Sequence, residues 1–119
     1  MTLLNFVSGP DYLTMVPSQD HKPVFGGDQV PNNGGMGAYS PVPHLEKWLP
    51  EIQKTIIDPT VKGLEQEDID FQGILYTGLM ITKDGPKVVE FYVRFGDPKA
   101  QVILPRLHND LLEILEASI

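Results

Sequence analysis

Two apolar runs, residues 74–82 and 87–95, flank Lys83-Asp84-Gly85-Pro86. Asp-Gly between alternating apolar segments is a strong hairpin signal. A three-residue loop, Asp84 to Pro86, pairs Lys83 with Lys87. It also sets Ile81 opposite Val89, Leu79 opposite Phe91 and Thr77 opposite Val93, which makes one apolar face. A two-residue loop would oppose Leu79 to Glu90 and mix the faces, because side chains alternate with period two. The odd loop is therefore expected. It leaves Tyr76, Gly78, Met80, Glu90, Tyr92 and Arg94 on the other face, so that a carboxylate, a phenol and a guanidinium project from alternate positions of one strand. Phe95-Gly96-Asp97-Pro98 ends that strand in a turn.

The rest of the chain arranges itself about this hairpin. Residues 2–7 and 12–16 read as two short strands around Ser8-Gly9-Pro10-Asp11, a second hairpin. Residues 17–43 show little periodicity. Much of the chain's Gly and Pro falls there, so the region reads as one long loop. From His44 to about Asp68, Leu45, Trp48, Leu49, Ile52, Ile56 and Ile57 recur at helical spacing, with Val61 and Leu64 continuing the stripe. Pro59 predicts a kink or two consecutive helices, and residues 65–70 should face solvent. Residues 105–119 read as a single amphipathic helix with Asn109-Asp110 near its start. Strands, loop, helix, strands, helix, without regular βαβ alternation, favour an α+β fold: a mostly antiparallel sheet packed by helices at about 44–68 and 106–118.

Composition narrows the function classes. The chain has 119 residues, enough for one domain with one core. Its net charge is −7, and its nine Lys and Arg form no basic stripe, which argues against nucleic acid as a partner. No apolar run is long enough to span a bilayer, so no membrane role is expected and the cytoplasm is the default compartment. Without cysteine there are neither disulfides nor thiolate metal sites. The three histidines, His21, His44 and His108, show no metal-ligand spacing.

The residues that could carry chemistry are few. Glu90, mid-strand, suits a hard cation such as magnesium, which takes one or two protein carboxylates beside phosphate oxygens and water. A solvated carboxylate on an open sheet face accounts for it equally. Arg94, two residues on, suits a carboxylate or phosphate, or pairs with Glu90. Gly34-Gly35-Met36-Gly37 could cradle an anion through backbone N–H groups, but it is neither a P-loop nor a dinucleotide fingerprint. Asp20-His21-Lys22 puts three ionisable groups just past a strand end, as a surface turn also would.

Longer stretches carry more information. At PNNGGMGAYSP, QDHK, GLMITKDGPKVVEF and RFGDPKAQVILPRL the chain resembles, nearly end to end and in the same order, the phosphoribosylamine–glycine ligase family (glycinamide ribonucleotide synthetases), ATP-grasp enzymes of purine biosynthesis. The Gly-Gly-Met-Gly-Ala-Tyr-Ser-Pro loop separates this family from other ATP-grasp ligases of purine synthesis. The resemblance implies the larger ATP-grasp subdomain. It also implies a reaction in which ATP phosphorylates the carboxylate of glycine. The amine of 5-phosphoribosylamine then attacks glycyl phosphate, expels phosphate and loses a proton, giving glycinamide ribonucleotide.

By the same resemblance Glu90 is a ligand for Mg²⁺ or Mn²⁺. Asp20, Lys22, Gly34, Gly35, Gly37 and Ser40 line the substrate cleft, and Arg94 and Asp97 belong to the catalytic turn. Three positions depart from the family pattern. Tyr92 stands where the family has a metal-binding Asn, Lys99-Ala100 replaces Glu-Thr, and Asn33 replaces Thr. Family enzymes are longer, with a further lobe holding most of the nucleotide expected upstream and another domain downstream. The 119 residues read as one partial domain, inactive by itself. Alternatively they are a non-catalytic relic or partner-binding module that self-associates through surface those domains would cover.

Overall fold

The computed structural model describes residues 1–20, 23–25, 29–32 and 37–119, the two short middle stretches by their backbone alone. Two antiparallel hairpins share one sheet. Strand β1 (Thr2–Ser8) turns at Gly9-Pro10 into β2 (Asp11–Thr14), with Ser8 opposite Asp11, and Gly9 takes a positive φ of 58°. The long hairpin is β7 (Gln72–Thr82) and β8 (Gly85–Tyr92). The order β2-β1-β7-β8 puts β1 and β7 in the middle, antiparallel, with Leu4 opposite Tyr76. Both central strands are buried on both faces, which is why β1 reads as the nearly unbroken apolar run Thr-Leu-Leu-Asn-Phe-Val.

The three-residue loop expected for the long hairpin is not the one that forms. Thr82 pairs with Gly85, so the loop is Lys83-Asp84. Gly85 has a φ of 99°, and Thr82 Oγ1 both donates to Gly85 O (2.8 Å) and accepts from Asp84 N (3.2 Å). The register runs Ile81–Pro86, Met80–Lys87 and Leu79–Val88, then shifts, giving Gly78–Glu90, Thr77–Phe91 and Tyr76–Tyr92. Ile81–Val89, Leu79–Phe91 and Thr77–Val93 are therefore not partners. The bulge absorbs one residue and restores the parity that a two-residue loop would have upset. The expected site face survives at Tyr76 and Gly78, whose cross-strand partners move by two, while Met80, on the turn side of the bulge, pairs with Lys87.

Residues 43–66 form one helical run that changes pitch. A 3₁₀ stretch, Pro43–Trp48, leads into α1 (Leu49–Ile52), a π turn, Gln53–Ile57, and α2 (Asp58–Gln66). The π turn immediately precedes Asp58-Pro59. Asp58 N–H bonds Gln53 O, five residues back, and Pro59 has no N–H to continue the regular ladder. Ile52, Ile57 and Val61 pack on Leu3, Val7, Leu75 and Leu79. Residues 65–70 are exposed, as expected.

The opposite face buries Leu4, Phe6, Ile74 and Tyr76 under Ile103 of α3 (Lys99–Ile103) and, partly, Leu111 and Ile114 of α4 (Leu111–Ala117). The single helix expected over 105–119 is thus broken. Pro105 lies in a 3₁₀ turn, Leu104–Arg106. Leu107 is extended, and the helix restarts where Asp110 Oδ1 accepts the Leu112 N–H at 2.8 Å. The architecture is helix, antiparallel sheet, helix. The region expected to be loop also pairs in part: β3 (Gln19–Asp20) with β6 (Ala38–Tyr39), and β4 (Pro23–Phe25) with β5 (Gln29–Asn32). Pairing here is set by backbone partners rather than by an apolar period.

Candidate functional site

The candidate site lies on the α3 side of the sheet, around Tyr76. The rings of Tyr76 and Tyr92, cross-strand partners, meet edge to face at 5.2 Å. Tyr92 Oη donates to Glu90 Oε2 at 3.0 Å, and the Arg94 guanidinium lies 4.5 Å from the centre of the Tyr92 ring. Gly78 is what lets Glu90 lie across the sheet. A Cβ at that position would come within 2.8 Å of Glu90 Cγ. The hydrogen bond to Glu90 is the first cause that raises the Tyr92 pKa above its ordinary value, with the carboxylate's charge second, so the phenol stays neutral.

The other wall comes from the turn after β8. Asp97 Oδ1 accepts from Gln101 Nε2 at 2.7 Å, and Ala100 N–H bonds Gly96 O at 2.9 Å, so the turn runs directly into α3. The Lys99 side chain points inward. The residue is 4% exposed, Nζ pairs with Asp20 Oδ2 of β3, and it lies 5.4 Å from the Tyr76 ring centre. Burial works to lower the pKa of this ammonium. The hydrogen bonds to Asp20 and Tyr76 outweigh burial, and the net shift is upward.

The structure therefore brings together Asp20, Glu90 and Arg94, linked through Lys99, Tyr76 and Tyr92. Arg94 Nη1 also donates to Phe95 O at 2.9 Å. Asp97 is exposed and held by α3. Ser40 Oγ donates to Pro17 O at 2.9 Å, and the Ser40 carbonyl accepts from Arg106 at 3.5 Å. Gly37 has open space where a side chain would stand. Lys22, Gly34 and Gly35 lie outside the described residues.

Sequence reasoning put Tyr76 on the site face without giving it a role, and it missed the inward course of Lys99. A glycine at mid-strand is a signal of close approach, and it could have flagged Gly78. Nothing in the sequence pairs Lys99 with Asp20, which lies 79 positions away.

Among the described residues no three His, Asp or Glu side chains cluster as metal ligands. Glu90 offers an oxygen that suits a hard cation, but Oε2 already accepts from Tyr92. A neutral phenol is a poor second ligand, so the described residues on this face do not complete a metal site.

The sheet with helices on both faces matches the larger subdomain of an ATP-grasp domain. Residues 1–100 match the family described as "Phosphoribosylglycinamide synthetase, ATP-grasp (A) domain". The chain belongs to that family. It is 53% identical over 118 residues to the phosphoribosylamine–glycine ligase of Halalkalibacterium halodurans, spanning 98% of this chain and 28% of that protein. It is 51% identical over 120 residues to the trifunctional purine biosynthetic protein adenosine-3 of Gallus gallus, covering 100% of this chain and 12% of that one. The crystal structure of phosphoribosylamine–glycine ligase from Thermotoga maritima superposes with a TM-score of 0.83 at 31% identity, covering 100% of this chain and 31% of the other. The chain thus spans between about a tenth and a third of the length of these relatives. Among the described residues no helix is long and apolar enough to cross a membrane.

Proposed function

We propose that these residues serve as one partial domain of a phosphoribosylamine–glycine ligase, joining glycine to 5-phosphoribosylamine at the expense of ATP in the cytoplasm. On this reading the 119-residue chain by itself does not turn over. Supporting it is the identity of about half over nearly the whole chain to such ligases, which share its fold. Asp20, Lys22, Gly34, Gly35, Gly37 and Ser40 then belong to the substrate cleft, and Arg94 and Asp97 to the catalytic turn. Arg94 presents a fixed planar cation for a carboxylate or phosphoryl oxygen. Stacked at 4.5 Å on Tyr92, it is oriented before any ligand arrives.

Mg²⁺ or Mn²⁺ would look to Glu90. The hydrogen bond between Tyr92 and Glu90 is the observation that carries the inactive reading, because it uses one carboxylate oxygen and supplies no second hard ligand. Mn²⁺ binding followed by electron paramagnetic resonance tests this. Tyr92→Asn should bind Mn²⁺ more tightly than the parent chain, and Glu90→Gln should bind it more weakly than Tyr92→Asn. Glycine-dependent ADP release by the unaltered chain, abolished by Glu90→Gln, refutes the inactive reading.

A second reading, a module that self-associates, is favoured by β8. It is the sheet's edge strand, and Val89 and Phe91, with Val93 just beyond (72% exposed), stand uncovered. Sedimentation at rising concentration decides. A mass that stays at 13.2 kDa removes this reading.

A further inference from the structure

Lys99 is the most unusual side chain in the structure. Lysines are almost never fully buried unless paired, and this one enters the protein between two elements far apart in sequence. Its ammonium meets a carboxylate whose own side chain is only 5% exposed. It also faces the ring of Tyr76, whose hydroxyl lies 3.3 Å from Thr2 Oγ1. The recess is closed at its base by Gly96, where a Cβ would stand 2.8 Å from Tyr76 Cε2 and 3.2 Å from Lys99 Cβ. A carboxylate to accept N–H bonds, an aromatic face for the positive charge and the close approach of Gly96 to the stem together recognise one chemical class, an alkylammonium. Divalent metals demand more oxygen ligands than one carboxylate and a phenol provide. A quaternary ammonium has no N–H to give Asp20.

We infer that the recess between Asp20 and Tyr76 is a binding site for a primary ammonium, filled in this chain by its own Lys99. Lys99 is a tethered ligand: it neutralises Asp20 and pins β3 to α3, and a free amine reaches Asp20 only when the lysine is gone. The inference stands whether or not the chain takes part in the ligation.

The test is chemical rescue. Lys99→Ala removes Cγ, Cδ, Cε and Nζ, the four atoms that propylammonium supplies. In the full 119-residue chain, Lys99→Ala should lower Tm by on the order of 10 °C, since it removes one half of a buried ion pair. Propylammonium chloride should restore at least half of that loss, saturating at millimolar concentration. It should leave the parent chain and the double variant Lys99→Ala/Asp20→Asn unmoved. Sodium and tetramethylammonium at the same concentrations should not act. No rescue, or an equal shift in the double variant, overturns the inference.

Should Lys99→Ala not fold even with propylammonium, reductive methylation of the parent chain decides. Lys99 should be modified much more slowly than the exposed Lys54 and Lys62, and more quickly in Asp20→Asn. Methylation of Lys99 at the rate of Lys54 and Lys62 overturns the inference.

Discussion

Gly96→Ala is the sharpest test of how the site is packed. Gly96 is buried, and its missing side chain is what lets the Tyr76 ring and the Lys99 stem meet. An alanine Cβ would fall 2.8 Å from Tyr76 Cε2 and 3.2 Å from both Cβ and Cδ of Lys99. Comfortable carbon contacts lie at roughly 3.5–4.0 Å, so the Tyr76 ring must yield by about 0.7 Å or more and the Lys99 stem by about 0.3 Å or more. Neither has room to do so easily. The Tyr76 ring is hemmed in by Tyr92 at 5.2 Å and by its hydroxyl's contact with Thr2, and Lys99 is fixed on Asp20. Overpacking of this kind costs about 1–3 kcal/mol. At about 4 °C per kcal/mol for a domain of this size, Tm should fall by roughly 4–12 °C. Gly63→Ala, in α2 with open space around it, is the control. It should stabilise by about 0.5–1 kcal/mol by restricting the unfolded chain. Urea unfolding of the three proteins, with the slope held in common, measures both effects. If Gly96→Ala unfolds within about 0.5 kcal/mol of the parent, the site is not close-packed and the reasoning fails.

Other expectations can be checked by the same unfolding measurements. Ile52→Ala, fully buried between the helical run and the sheet, should cost about 2–5 kcal/mol, and a loss below 1 kcal/mol would deny it a place in the core. Asp110→Ala removes the acceptor for Leu112 N–H and should cost about 0.5–2 kcal/mol, with a smaller loss for Asp110→Asn. The Tyr12 phenol, pushed up to about 12 by burial and then by its hydrogen bond to Asp58, should ionise late in a titration at 295 nm. A folded-state pKa above the unfolded value of about 10 contributes stability that is whole below pH 10 and is lost as pH rises towards 12. Tyr12→Phe should therefore be less stable than the parent at pH 9, with the difference shrinking above pH 10. A constant difference would refute the assignment.

Much of this fold is legible in the chain itself, and the misses have physical causes. Both hairpins follow from turn residues and period-two runs, and the stripe from Leu45 to Leu64 specifies an amphipathic helix. The loop of the long hairpin was misjudged because a bulge is invisible to a period argument. Loop and bulge together shift the register by two, an even number, which left Glu90, Tyr92 and Arg94 on the expected face. The last helix was placed too early because Leu107 fits the apolar stripe. In the structure Leu107 reaches the same core from an extended backbone, and the cap at Asp110 fixes the true start.

The sequence by itself determined the two hairpins, the helical stripe from Leu45 to Leu64 and the family to which the chain belongs. All of these rest on neighbours within one turn or one hairpin, or on long shared text. Tertiary structure decided what the charged residues do. In the sequence Lys99 is a lysine after a turn, and only the fold carries β3 against α3 and sets its ammonium beside Asp20 and Tyr76. Likewise Glu90 lies across the sheet because the bulge sets it opposite Gly78, where no side chain blocks it. Burying a charge is costly unless an opposite charge is within reach, and which charges come within reach is fixed by packing over long sequence separations, not by local pattern.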